Sequence, residues 1–167
     1  MEWETLGLLL RWLHIGSGIV WMGHNYVNVV LHPRYVPFVA ALPGEQDGEL
    51  QGRVRQEHAF FRYASVLSWV TGMLMLWQKG WLGDALLLHG YLAVIGTAAW
   101  IGTAMMLNVW LVLWPHQKRV LGFVAASPEE RLRCSRVTFL SPRTNTMLSL
   151  PLLFLMGTSQ HGGALFV

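Results

Sequence analysis

The chain has 167 residues, of which 53% are hydrophobic and 13% charged, and its mean hydropathy is +0.39. Soluble domains carry charge on about a quarter of their residues, so the composition excludes a water-soluble globule, a disordered chain and a nucleic-acid binder of the basic-patch kind, the formal charge being only +3. The single Cys134 excludes an intrachain disulfide framework, and no Cys-x-x-Cys or Cys-x-x-Cys-His run offers a zinc or covalent haem c site.

Four apolar segments follow along the chain. Residues 12–33, 85–117 and 144–167 carry no Asp, Glu, Lys or Arg. The stretch between Arg62 and Lys79 is shorter, and it reaches spanning length if it starts near Ala59 and Arg62 snorkels to the interface. A hydrocarbon core of ~30 Å takes about 20 helical residues, and lipid requires every backbone group to be bonded within a helix or a closed barrel. The segments do not alternate, so the predicted fold is all-α: an integral membrane four-helix bundle, one domain over 1–167, with helices at about 6–31, 59–78, 85–114 and 144–160.

The first residues, Met1-Glu2-Trp3-Glu4-Thr5, are acidic where a secretory signal is basic, so the first helix is expected to be retained. That helix is more polar than an anchor requires. His14, Gly18, Trp21, Asn25, Asn28 and His32 share one face, and such a stripe has to meet other helices, a cofactor or water. Its glycines allow a partner helix or the flat face of a macrocycle to approach the backbone.

Both long connections are basic. Arg34, Arg53, Arg55 and Arg62 belong to the first, and Lys118, Arg119, Arg131, Arg133, Arg136 and Arg143 to the second; only Arg11 and Lys79 of the 12 Lys and Arg lie elsewhere. The positive-inside rule predicts both long loops in the cytoplasm and both termini outside, in a multi-pass protein of the bacterial inner membrane. The turn-rich run from Leu42 to Gly48 reads as a solvated excursion. Ser127-Pro128-Glu129-Glu130 reads as the capped start of a short helix.

Seven His are many for such a chain, and they sort by depth. His14 lies roughly 10–14 Å below the outer surface at 1.5 Å per residue, and His89 and His161 belong to the same outer half. His24, His32, His58 and His116 lie in the inner half. Pairs of neutral imidazoles on different helices are how bundles hold haem b, so an outer pair drawn from His14, His89 and His161, and an inner one from His24 with His58 or His116, are candidate ligands. For His14 a hydrogen bond to Ser68 or Asn108 on a neighbouring helix is the alternative use. Trp21, Trp69 and Trp100 sit deep enough to line a ring-shaped cofactor or simply to fill the bundle. Pro151 is expected to kink its helix. Arg143 and Asn145 stand at the inner mouth of that helix, and no metal other than haem iron is indicated.

Several of these runs are similar to one family. Arg11-Trp12-Leu13-His14 with Gly18, Trp21 and Gly23 resembles the first helix of the bacterial membrane-bound urate hydroxylases. Phe61-Arg62-Tyr63 through Trp69-Val70-Thr71-Gly72, and Asn108-Val109-Trp110 through Pro115-His116-Gln117-Lys118, resemble that family's second and third helices. Asn145 to Met156, closing on Ser159-Gln160-His161, is similar to its last one. Thr144 stands where the family has His, Met147 where it has Tyr and His116 where it has Asn, and the family's membrane domain is longer and followed by a cytochrome c domain. The resemblance implies a b-type-cytochrome-like redox protein relaying electrons toward a periplasmic cytochrome c, with His14 and His161 as the matching His and haem b as cofactor. The departures bear on urate as substrate and assign no catalytic residue. The alternative function is a non-catalytic small subunit of a larger respiratory or photosynthetic complex, packed against lipid and other membrane subunits. No nucleic-acid partner is expected.

Overall fold

The computed structural model describes residues 2–37 and 48–159, and every element among them is helical. Helix α1 runs Glu2–Leu31 and α2 Gly48–Gln78. A short α3, Leu82–Leu86, and a 3-10 turn, Gly90–Leu92, lead into α4, Ala93–Leu107. A π-helical stretch, Asn108–Leu113, joins α4 to α5, Trp114–Val120, and α6 covers Pro128–Thr158. Helix α1 packs on α2 and α6, and α4 packs on the same two, so the four long elements close a ring of contacts.

The local chemistry explains the boundaries. Helices α2 and α5 both end in a Schellman motif: Gly80 and Gly122 adopt φ of 70° and 76°, and the residues after them, Trp81 and Phe123, donate back to the Leu76 and Lys118 carbonyls. Helix α6 opens on a reciprocal capping box. The Ser127 hydroxyl accepts from the Glu130 amide at 3.2 Å, and the Glu130 carboxylate accepts from the Ser127 amide at 3.0 Å.

Three segments differ from the predicted boundaries. Helix α6 is one 31-residue helix through Pro142 and Pro151, and not a short helix followed by a span at 144. Each proline costs one ladder bond, but nothing between Cys134 and Ser141 breaks the helix. Helix α2 begins at Gly48 rather than near Ala59, because its first turns are helical without being apolar. The third predicted helix, 85–114, is interrupted. Leu88 and Gly90 take positive φ, 59° and 53°, and the chain turns between α3 and α4. Ala85 then lies so close to α4 that a Cβ on Gly96 would strike its carbonyl oxygen. The π stretch ends two residues before Pro115, which has no amide hydrogen and whose ring crowds the carbonyl four residues back; widening the turn relieves both.

Polarity is arranged from the inside outward. Ser17, Asn25, Ser65, Ser68, Thr71, Ser141, Asn145 and Ser149 are buried, while Ile19, Val20, Val27, Leu111, Leu150 and Phe154 are exposed. A central apolar layer of Trp21, Phe61, Met105, Val109 and Leu152 joins α1, α2, α4, the π stretch and α6. Three helical stretches, Trp3–Leu31, His58–Gln78 and Gly90–Val120, are long and apolar enough to cross a membrane. With apolar side chains outward and polar ones inward, this is the architecture of a membrane protein.

The close approach at Gly96 yields a stability test. Gly96→Ala is expected to lower unfolding free energy in mixed micelles by about 1–3 kcal/mol through overpacking. Gly102→Ala, whose methyl meets only Leu152 at 3.9 Å, should be neutral or stabilise by up to about 1 kcal/mol. Equal effects of the two would contradict the packing of α3 on α4.

Candidate functional site

A cavity of about 740 Å³ lies between the first half of α1, the second half of α2, the start of α4 and the end of α6. That size is in the range of pockets for small ligands and cofactors, ~300–1,000 Å³. Its walls are mostly apolar, among them Ile15, Ile19, Met22, Leu76, Ile95 and Met156, with Arg11 and Lys79 also on its lining. Small residues create the space. Gly18, Gly72, Ala98, Ala99 and Gly102 line it, and a Cβ on Gly72 would sit 3.0 Å from the His14 ring.

His14 is the cavity's distinctive polar group. Its Nδ1 lies 2.8 Å from the Ser68 carbonyl oxygen, which can only accept, so Nδ1 carries the proton. The Thr71 hydroxyl stands 3.4 Å from the same nitrogen and donates to the Leu67 and Ser68 carbonyls at 2.7 and 3.0 Å. The other ring nitrogen, Nε2, is thereby left with its lone pair, on a side chain that lines the cavity. A backbone carbonyl fixing one imidazole nitrogen so that the other can coordinate is the usual support of a ligating His. Trp21 and Trp69 line the same space. The Trp69 indole donates to the Thr103 hydroxyl at 2.8 Å, whereas the Trp21 indole, 3% exposed, has no acceptor among the described residues.

The other predicted residues separate. His89 is exposed and pairs at 3.3 Å with Asp84, away from the cavity lining. His161 lies outside the described residues. Trp100 is half exposed and donates to the Leu86 carbonyl at 3.0 Å. His24 meets His58 edge to face, ring centroids 5.8 Å apart, and stacks on Phe61 at 4.4 Å. The amide nitrogen of Gln117 approaches the His58 ring at 3.1 Å. His116 donates through Nδ1 to the Val112 carbonyl of the preceding π stretch, 2.6 Å away. Among the described residues no group of three or more His, Cys, Asp or Glu could hold a metal ion.

Two residues carry more structure than their sequence pattern announced. Asn145, fully buried, accepts from the Asn108 amide at 2.8 Å and donates to the Met105 carbonyl at 3.2 Å, while Asn108 also donates to the Ser141 carbonyl at 3.1 Å. These bonds tie α6 to the junction where α4 becomes π-helical. Arg143 turns to backbone acceptors: it donates to the Phe139 carbonyl at 2.6 Å and to the His32 carbonyl just past the end of α1. Helix α1 has no basic residue in its own last turn, so Arg143 supplies the positive charge that a helix C-terminus favours. The sequence places Asn145 at a helix mouth; its full burial and its partners depend on the π stretch.

Asn145→Ala removes one buried bond from the Asn108 amide, which keeps the Ser141 carbonyl, and one from the Met105 carbonyl, which keeps the Asn108 backbone amide, so it is expected to cost about 1–3 kcal/mol of unfolding free energy. Thr144→Ala, on an exposed neighbour, should stay within about 0.5 kcal/mol. Chemical denaturation in mixed micelles measures both, and an Asn145→Ala variant as stable as wild type would contradict the network. No protein-family model, no curated protein and no solved structure matches this chain.

Proposed function

We propose that the chain is a four-span protein of the bacterial inner membrane that holds haem b in the outer cavity and relays electrons toward a periplasmic cytochrome c. The observation that carries this reading is the imidazole of His14, fixed through Nδ1 on the Ser68 carbonyl at the edge of a space of about 740 Å³. The donor set fits the group: a neutral imidazole with a free Nε2, walls of glycine, alanine and aromatic rings, and Arg11 and Lys79 on the same lining, where acidic substituents would find positive charge. His14 would hold the haem iron through Nε2, and His161, two residues beyond the cavity-lining Ser159 in sequence, is the second His proposed to hold it.

The fourth span of this reading is the apolar half of α6. In support of a common inner face, Tyr35 after α1 bonds Ser135 of α6, and Gln117 of α5 meets His58 of α2. These contacts gather the basic ends at one end of the molecule, and that end belongs in the cytoplasm. At the opposite end the Gln78 amide bonds the Trp3 carbonyl.

Haem, when bound, supplies one-electron redox chemistry. The protein's part is to bind, orient and desolvate. Ser68 fixes the His14 ring and its tautomer, Gly72 leaves that ring its room, and the apolar walls exclude water. No residue is assigned to substrate chemistry, and the resemblance to the urate hydroxylases supports electron transfer more than urate turnover, given Thr144 and Met147.

The test is the absorption spectrum of protein purified from membranes of a haem-replete host. The expected result is a Soret band, a reduced α-band and a b-type pyridine haemochrome in the wild type, all lost in His14→Ala and weakened in Gly72→Val. A folded wild-type protein that carries no haem and takes up none from added hemin would overturn the reading.

A further inference from the structure

Arg62 is the only charged side chain buried among the described residues, at 8% exposure. It does not snorkel outward as its position near the start of a span predicts. Its Nε donates to the His58 carbonyl at 3.1 Å, and its guanidinium lies on the Trp114 ring, 3.2 Å from the centroid, with Trp110 and Tyr63 at 5.6 and 6.0 Å. The physical reason is that the stem can cover apolar surface while the flat cation stacks on an indole, which is more favourable than an unpaired charge in hydrocarbon.

Stacking satisfies the face of a guanidinium and leaves its edge unused. The hydrogen-bond fork lies in the plane, and the terminal nitrogens donate to no acceptor among the described residues. No carboxylate pairs with Arg62 there either. A second cation stands beside it: the Lys118 Nζ is 5.7 Å from the same Trp114 ring, likewise without a carboxylate among the described residues. Two cations gathered on one indole repel each other unless an anion lies between or beside them. The group is set in depth. Arg62 is four residues inside the apolar stretch that begins at His58, about 6 Å at 1.5 Å per residue, where lipid headgroups meet the hydrocarbon. Basic pockets between spanning helices at this level suit acidic headgroups.

We propose that Arg62, held flat on Trp114 with Lys118 beside it, is a binding site for the phosphate of an acidic membrane phospholipid. The planar fork matches two phosphate oxygens in a way a point charge does not. Lys118 adds attraction, and the exposed Phe60, Tyr63 and Leu111 offer apolar surface to the acyl chains. The site is separate from the His14 cavity and needs only that the helices lie in a bilayer.

Native mass spectrometry of the protein released from nanodiscs of mixed phosphatidylcholine and phosphatidylglycerol tests this. Wild type should retain phosphatidylglycerol over phosphatidylcholine by about fivefold or more, the scale expected of one cation at the membrane surface. Arg62→Gln should fall to parity, and Arg62→Lys, charged but without the fork, should lie between. Far-UV circular dichroism reports whether each variant folds; should Arg62→Gln not fold, the Lys variant carries the comparison. Equal retention of both lipids by wild type, or unchanged retention in a folded Arg62 variant, would overturn the site. In nanodiscs of phosphatidylcholine alone, inorganic phosphate should leave the thermal midpoint unmoved. A rise matching that given by phosphatidylglycerol would assign the site to free phosphate and overturn the lipid.

Discussion

With apolar side chains covering the outside of the helices, most buried polar groups find their partners inside the protein, and much of the packing follows from how few partners there are. The hydroxyls solve the problem twice over. Thr103, Ser149 and Ser135 each bond a carbonyl of their own helix, and each hydroxyl also meets an aromatic residue of another element: Trp69, Tyr26 and Tyr35. The Trp69 indole N–H donates to Thr103, and in the two tyrosine–serine pairs either hydroxyl can give the proton. In this way α2 is tied to α4, and α1 with the segment after it to α6, and among the described residues there is no buried ion pair, whose desolvation would be expensive in lipid. His14 likewise bonds a helix carbonyl of α2, with the Thr71 hydroxyl beside it.

The cavity results from where bulk is withheld. Beneath it the large residues Trp21, Phe61 and Met105 fill the centre of the molecule. Above that layer the facing positions are Gly18, Gly72, Ala98, Ala99 and Gly102, so neighbouring helices cannot close the gap with side chains. The turn between α3 and α4 brings Tyr91 and Leu92 to its lining beside Trp81, which precedes α3, a placement that depends on the left-handed backbone at Leu88 and Gly90 and on the missing Cβ of Gly96. A straight helix from Ala85 onward would leave that end differently walled.

Much of this was legible in the sequence, for physical reasons. Hydropathy and charge located the apolar stretches because lipid tolerates few exceptions. The stripe on α1 is the face the helix turns inward, with Trp21 and Asn25 buried, and Ser68 was identifiable as a partner of His14 because few polar groups share its depth. The contact is to the Ser68 backbone, however, which side-chain chemistry alone does not indicate. What stayed hidden depends on long-range fit. Nothing local marks Leu88 as left-handed, since leucine ordinarily avoids that region. Arg62 reads as a snorkelling residue until Trp114 is known to lie across from it. The start of α2 at Gly48 is invisible to hydropathy, which tracks burial in lipid rather than helicity. Among the His residues, sequence depth grouped His14 with His89, but only His14 lines the cavity.

The proposed function thus depends on one imidazole whose tautomer is imposed by a carbonyl. In water a neutral imidazole carries its proton on whichever nitrogen its partners favour; here Nδ1 is committed to Ser68, and coordination at Nε2 needs no rearrangement of the ring. Nitrogen-15 NMR of selectively labelled, ligand-free protein in bilayers measures this directly. The account predicts a protonated Nδ1 and an unprotonated Nε2 for His14, with the pattern weakened when Gly72→Ala presses on the ring. A His14 protonated at Nε2 and bare at Nδ1 would contradict the geometry from which the functional proposal is drawn.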